Sequence, residues 1–79
     1  MERIKMIWDF RGPNSEMTAK HHAKHLQDFT NSEKMINVVC QTEKISEMHY
    51  VAFMVVAKEK VNDLRERLKP NRGQAYKEI

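Results

Sequence analysis

Three histidines lie close together in the stretch "TAKHHAKHLQDF", residues 18–29. His21 and His25 are spaced i, i+4 and Asp28 follows at i+7, so a helix would bring all three onto one stripe of its surface. Two imidazole nitrogens and a carboxylate are ligands that zinc, copper or nickel accept, and three such ligands leave one coordination position open. The stripe is typical of a solvated helix face, and the alternative is a divalent metal site at these three residues.

His22 falls on a different stripe of the same helix. That stripe is apolar and comprises Ala19, His22, Ala23, Leu26 and Phe29. A histidine at the edge of a core either packs as a structural group or acts as an acid–base group in a pocket between helix and sheet. The structural role is the expected one for His22. The alternative is a ligand-binding site with Arg11 to hold an anion and Tyr50 nearby, in which His22 would be the catalytic residue.

The pattern of apolar residues predicts the elements that position these side chains. Alternation over residues 3–11 is typical of a half-buried strand, and residues 48–57 are apolar on both faces, which indicates a central strand. Residues 35–42 form a further strand, joined to the central one by a short polar link, so these two pair as an antiparallel hairpin. One helix ends at about residue 29 and a second covers residues 59–69.

This order of elements predicts an α+β fold of the ferredoxin-like plan, βαββα, with both helices on one face of a sheet that contains antiparallel pairs. Residues 1–69 form this single domain. Residues 70–79 form a C-terminal turn and tail, in which the last strand of the plan is short or absent. The assignment depends on element order and not on a match to a known sequence.

The same plan leaves one sheet face without helices. Val51, Phe53 and Val55 lie on that face, and an exposed apolar patch usually marks contact with a partner. A chain of 79 residues also has a small core whose stability a partner subunit would raise. We therefore predict a homodimer with these three residues in its interface.

The composition narrows the functional classes. Cys40 is the only cysteine, which excludes an intramolecular disulfide and every multi-cysteine metal site. The longest apolar run, residues 50–57, is far shorter than the roughly 20 residues of a membrane helix, and the charged N-terminal segment does not read as a signal peptide. These features predict a cytoplasmic protein without a membrane partner.

The net charge of +3 arises entirely from the residues after position 57. This basic C-terminal third is typical of a solvated helix face with mixed charges, and the alternative is contact with a small anionic ligand or an acidic protein partner. Nucleic acid is not an expected partner, because the strands lack the exposed aromatic residues interleaved with basic ones that RNA-binding sheets carry.

Together these features predict a small homodimeric α+β binding or interaction domain. No complete catalytic set is evident, which favours a binding domain over an enzyme. The first alternative is a small cofactor-free dimeric enzyme, similar in fold plan to isomerases or mono-oxygenases, with its pocket at His22 and Arg11. The second is a metal-binding protein that uses His21, His25 and Asp28. No cofactor is expected apart from that divalent metal.

Overall fold

The chain forms a four-stranded antiparallel sheet and two α-helices. The structure, a computed structural model, describes residues 2–76. In chain order the elements are β1 (Arg3–Arg11), α1 (Ser15–Ser32), β2 (Val39–Ser46), β3 (His49–Ala57), a single 3-10 turn (Lys58–Lys60), α2 (Val61–Leu68) and β4 (Arg72–Tyr76). The predicted α+β class is confirmed, and a short last strand is present as β4.

The strands lie in the order β2-β3-β1-β4, so β1 and β3 are central. Ile7 of β1 pairs with Phe53 of β3 on one side and with Arg72 of β4 on the other. Phe53 in turn pairs with Gln41 of β2. Directly paired residues share a face and side chains alternate along a strand. Over the regular parts of the strands, odd-numbered residues of β1, β2 and β3 therefore lie on one face and even-numbered residues on the other.

The even-numbered face carries the core. Its buried cluster comprises Met6, Trp8, Ala52, Met54 and Val56 from the sheet, Leu26 from α1 and Leu64 from α2. Leu26 is only 2% exposed, as expected for a residue on the apolar stripe of α1. Complete burial of an aliphatic side chain of this size contributes about 1.5–3 kcal/mol before the entropy of ordering is counted. The core therefore forms from apolar residues whose spacing along the sequence places them on one face of each element.

Both helices are amphipathic. α1 has 18 residues and α2 has eight, and only a few residues of each are buried. Within residues 2–76, neither helix combines the length and apolarity needed to cross a membrane.

The segment after α2 is fixed to β1 by hydrogen bonds. The Trp8 Nε1 donates to the carbonyl oxygen of the last residue of α2 at 3.0 Å. The backbone amide of Asn71 donates to the carbonyl oxygen of Ile7 at 2.9 Å. These bonds bring the following residues alongside β1, where they pair as β4. Part of the segment 70–79 is thus an edge strand, while residues 77–79 of the predicted tail lie outside the described residues.

The predicted position of β2 was wrong. The strand begins at Val39 and not at residue 35, and it continues to Ser46 through the segment predicted to be a polar link. Lys34 and Asn37 have left-handed φ values of 55° and 58°, which turn the chain after α1 and delay the start of the strand. Only residues 47–48 remain for the turn of the hairpin.

Candidate functional site

The predicted metal-binding stripe lies on the exposed side of α1. The ring centroids of His21 and His25 are 4.3 Å apart, as their i, i+4 spacing requires. Asp28 is exposed, and residues 2–76 contain no group of three His, Cys, Asp or Glu side chains that could hold one metal ion. The structure therefore brings the two histidines together without Asp28. The metal site stays a prediction that a histidine pair alone supports.

His22 packs against two aromatic rings of β1. Its ring centroid lies 5.1 Å from that of Trp8 and 5.4 Å from that of Phe10. The Nε2 atom is shielded from solvent and has no hydrogen-bond partner among the described residues. Burial lowers the pKa of His22, and the charges of the neighbouring histidines lower it further. The ring is therefore neutral near pH 7 and retains the capacity to accept a proton.

The residues predicted to assist His22 lie on different faces of the sheet. Tyr50 pairs in register with Phe10 and is half-buried, so it shares the face that His22 contacts. Arg11 is exposed and pairs with His49 on the odd-numbered face. The geometry thus brings Tyr50, but not Arg11, to the side of the sheet where His22 lies.

The predicted interface residues lie on the odd-numbered face. Val51 and Val55 are 2% and 0% exposed within one chain, while Phe53 is partly exposed. Lys5 crosses β3 above them: its Nζ lies 4.2 Å from the ring centroid of Phe53 and 3.1 Å from a carboxylate oxygen of Glu43 on β2. Among the three predicted residues, Phe53 is the one with surface to offer to a partner.

A polar network occupies the same face next to the apolar residues. Asp9 of β1 accepts two hydrogen bonds from Arg72 of β4, from Nε to Oδ2 and from Nη2 to Oδ1, each at 3.1 Å. The His49 Nε2 lies 2.8 Å from the Asp9 Oδ1. The Asn71 Oδ1 accepts the backbone amide of Asp9 at 2.7 Å. Side chains of β3 and β4 therefore both bind the Asp9 carboxylate of β1.

The ionisation of Asp9 determines which groups of this network donate hydrogen bonds and which accept them. The Arg72 guanidinium lowers the pKa of Asp9, the hydrogen bond with His49 lowers it further, and burial opposes both. Asp9 is thus ionised near neutral pH and can only accept, so the His49 Nε2 carries a proton and donates it. The bidentate pair with Arg72 already occupies Asp9, which favours a positioning role for this carboxylate.

A cleft of about 540 Å³ lies between α2 and the edge of the sheet at β4. We call it the α2–β4 cleft. Its lining residues are Ile4, Met6, Lys58, Val61, Asn62, Arg65, Pro70, Asn71, Arg72, Gly73, Gln74 and Ala75. This lining combines an apolar floor with amide and cationic groups and contains no Asp or Glu, and its volume lies within the usual range of small-molecule sites.

The cleft exists because β4 carries small residues on its inner side. Gly73 pairs with Met6 and Ala75 pairs with Ile4, so both face the side of the sheet that holds the core. A Cβ at Gly73 would lie 3.6 Å from the Ile4 Cγ2 and 3.8 Å from the Lys5 carbonyl oxygen, which are ordinary contact distances. A small side chain would therefore fit at position 73, and the space between β4 and α2 stays open.

Sequence reasoning missed two features of this region. Asp9 lies in the alternating segment 3–11 and Arg72 in the segment predicted to be a turn and tail, so no local pattern joins them. The one available signal is a carboxylate between Trp8 and Phe10 in an apolar strand. The α2–β4 cleft was missed because β4 has no apolar alternation. Neither feature includes the α1 histidines, which are the candidate site residues of the sequence.

Comparison with protein-family models, with curated proteins and with solved structures finds no match to this chain. The function of this protein is therefore inferred from the geometry of the described residues. Two arrangements carry chemistry there, the Asp9 network on the odd-numbered face and the α2–β4 cleft, and of these the cleft has room for a ligand.

Proposed function

We propose that this protein is a small homodimeric binding domain that holds a small-molecule ligand in the α2–β4 cleft. The observation that carries the proposal is the cleft itself, a space of about 540 Å³ between α2 and β4. Small-molecule sites are typically concave, mostly apolar and furnished with a few polar groups that orient the ligand. The lining of this cleft has that composition.

The glycine in β4 supports the same reading. Glycine in a strand weakens it by roughly 0.5–1 kcal/mol relative to alanine, because the unfolded chain loses more freedom. The positive φ of a left-handed turn, which would require glycine, is found at Gly12 and not at Gly73. A Cβ at position 73 meets no close contact. Conformation and packing therefore do not demand glycine here, and a small residue at this position leaves the cleft open.

The domain plan that we infer is ferredoxin-like. Support comes from the element order β-α-β-β-α-β and from a sheet in which the first strand lies between the third and the fourth. Leu26 of α1 and Leu64 of α2 both join the cluster on the even-numbered side of the sheet, which favours placing both helices on one face. The odd-numbered face is then free for a second copy of the chain.

Self-association through that face agrees with its charges. A two-fold interface places the same surface on both sides, so a face that attracts its own copy needs both signs of charge. Lys5 and Arg72 alternate there with Glu43 and Asp9 around Phe53. A surface of one sign would repel its copy, whereas this one complements it.

Replacement of Phe53 by Asp tests the homodimer. We expect the Phe53→Asp variant to be a folded monomer by light scattering, because two carboxylates would face each other across the two-fold axis. The matched control is Met17→Asp, which puts the same charge on a residue that is 74% exposed on α1 and should leave a dimer. Circular dichroism verifies folding. A wild-type monomer, or a folded dimer of Phe53→Asp, would show that the interface is wrong.

Substitutions at Gly73 test the ligand site. We expect a mixed set of neutral and charged aromatic fragments to shift the NMR amide signals of the cleft residues in wild type and in Gly73→Ala. The larger side chain of Gly73→Leu should fill the cleft and abolish these shifts. Gly73→Ala serves as the folding control and is expected to stabilise the protein by about 0.4–1 kcal/mol through the unfolded state. Shifts that survive in Gly73→Leu, or their absence from wild type, would contradict the site.

A further inference from the structure

We infer that the ligand of the α2–β4 cleft is a small organic anion, an apolar body with one carboxylate that Arg65 binds. The inference rests on the proposed function and adds the chemical class of the ligand and the residue that selects it. Three observations on the lining lead to it: the balance of its charges, the orientation of an amide, and its apolar floor.

Three cationic side chains line the cleft, and among the described residues one of them is not paired with a carboxylate. Lys58 and Arg72 also line the cleft, but the Lys58 Nζ lies 3.0 Å from a carboxylate oxygen of Glu2, and Arg72 is bound to Asp9. Within the described part of the chain, Arg65 has no hydrogen bond or ion pair beyond the backbone of α2. With no Asp or Glu in the lining, its charge is uncompensated. A carboxylate would supply the missing partner, and guanidinium matches it in a bidentate geometry.

The amide of Asn71 adds a donor of the same kind. Its Oδ1 is already occupied by the backbone amide of Asp9 at 2.7 Å. That bond uses one of the two lone pairs of the Oδ1, whereas the Nδ2 can only donate. A second donor in the lining that carries Arg65 suits an anion.

The rest of the lining determines the body of the ligand. Ile4, Met6, Val61, Pro70 and Ala75 give the cleft an apolar floor. An inorganic anion would leave that surface hydrated, whereas an organic anion buries it and gains affinity from the contact. The space exceeds what a bare carboxylate fills, so the class is an apolar carboxylate of metabolite size.

The test compares a charged probe with its neutral isostere. The probes are 2-naphthoate and 2-naphthamide, titrated by NMR into the 79-residue chain near pH 7. We expect 2-naphthoate to shift the amides of the cleft residues and to bind about tenfold more tightly than 2-naphthamide. Arg65→Gln should weaken 2-naphthoate about tenfold, which is the scale of one charge-assisted hydrogen bond at a partly exposed site, and leave 2-naphthamide unchanged.

Lys60→Gln is the matched control for charge. Lys60 lies just before α2, is exposed, and is not part of the lining, so its loss lowers the net charge equally without touching the site. Equal binding of both probes in the cleft, unchanged in Arg65→Gln, would overturn the anion class and leave the proposed ligand site standing. No binding of either probe to the cleft would overturn both. An equal effect of Lys60→Gln would show a general effect of charge and would also overturn the inference.

Discussion

Leu26→Ala is expected to destabilise the protein by about 2–5 kcal/mol, measured as the free energy of unfolding in urea. Leu26 is 2% exposed and belongs to the cluster formed by the even-numbered residues of β1 and β3. Truncation removes buried methyl groups and leaves a cavity between α1 and the sheet. A domain of this size has only several kcal/mol of stability in total, so the variant would be largely unfolded near 37 °C.

Two further variants separate this effect from a general weakness of α1. Leu26→Met keeps the buried volume and should cost less than about 1.5 kcal/mol. Met17→Ala alters the same helix at a residue that is 74% exposed, and the change should stay within about 0.5 kcal/mol. If Leu26→Ala cost no more than Met17→Ala, the packing of α1 on the sheet would be wrong.

Asp9→Asn is expected to cost about 1–2 kcal/mol at pH 7. The substitution removes the charge that receives two hydrogen bonds from Arg72 and one from His49. Hydrogen bonds to charged groups contribute about 1.5–3 kcal/mol, and the partial exposure of Arg72 reduces that value here. Urea unfolding measures the loss, and Asp28→Asn serves as the control because it alters an exposed carboxylate of α1.

The cost of Asp9→Asn should depend on pH in a defined direction. The pKa of Asp9 is lower in the folded chain than in the unfolded chain, chiefly because of Arg72. Its contribution to stability is therefore complete above the unfolded value of about 4 and is lost as the pH falls through the folded value. The difference between wild type and variant should thus be full at pH 6 and smaller at pH 2. A difference that is the same at both pH values would rule out the ionised carboxylate as its source.

Elements with a strong local pattern are well predicted from the sequence. The alternation over residues 3–11 matches β1, and the apolar run over 48–57 matches β3 within one residue. α1 extends three residues beyond the predicted end, to Ser32. In these segments the apolar period and the buried face agree, so secondary structure follows from local spacing.

Segments without such a pattern are predicted with wrong or undefined bounds. β2 starts late because Lys34 and Asn37 adopt left-handed backbone conformations that non-glycine residues seldom show. All five residues of β4 are exposed, and their sequence contains a glycine and no apolar alternation. β4 is a strand because hydrogen bonds to β1 hold it there, which illustrates how far strand formation depends on its neighbours.

The sequence by itself determined the classes of element, the apolar face of α1 and the contact between His21 and His25, because each depends on spacing within one segment. Only the tertiary structure decided which groups meet. Asp9 contacts His49, 40 positions away, and Arg72, 63 positions away. The α2–β4 cleft likewise forms where a helix passes beside a strand of small residues. Such meetings depend on strand register and on the packing of distant segments, and spacing along the chain does not encode either of them.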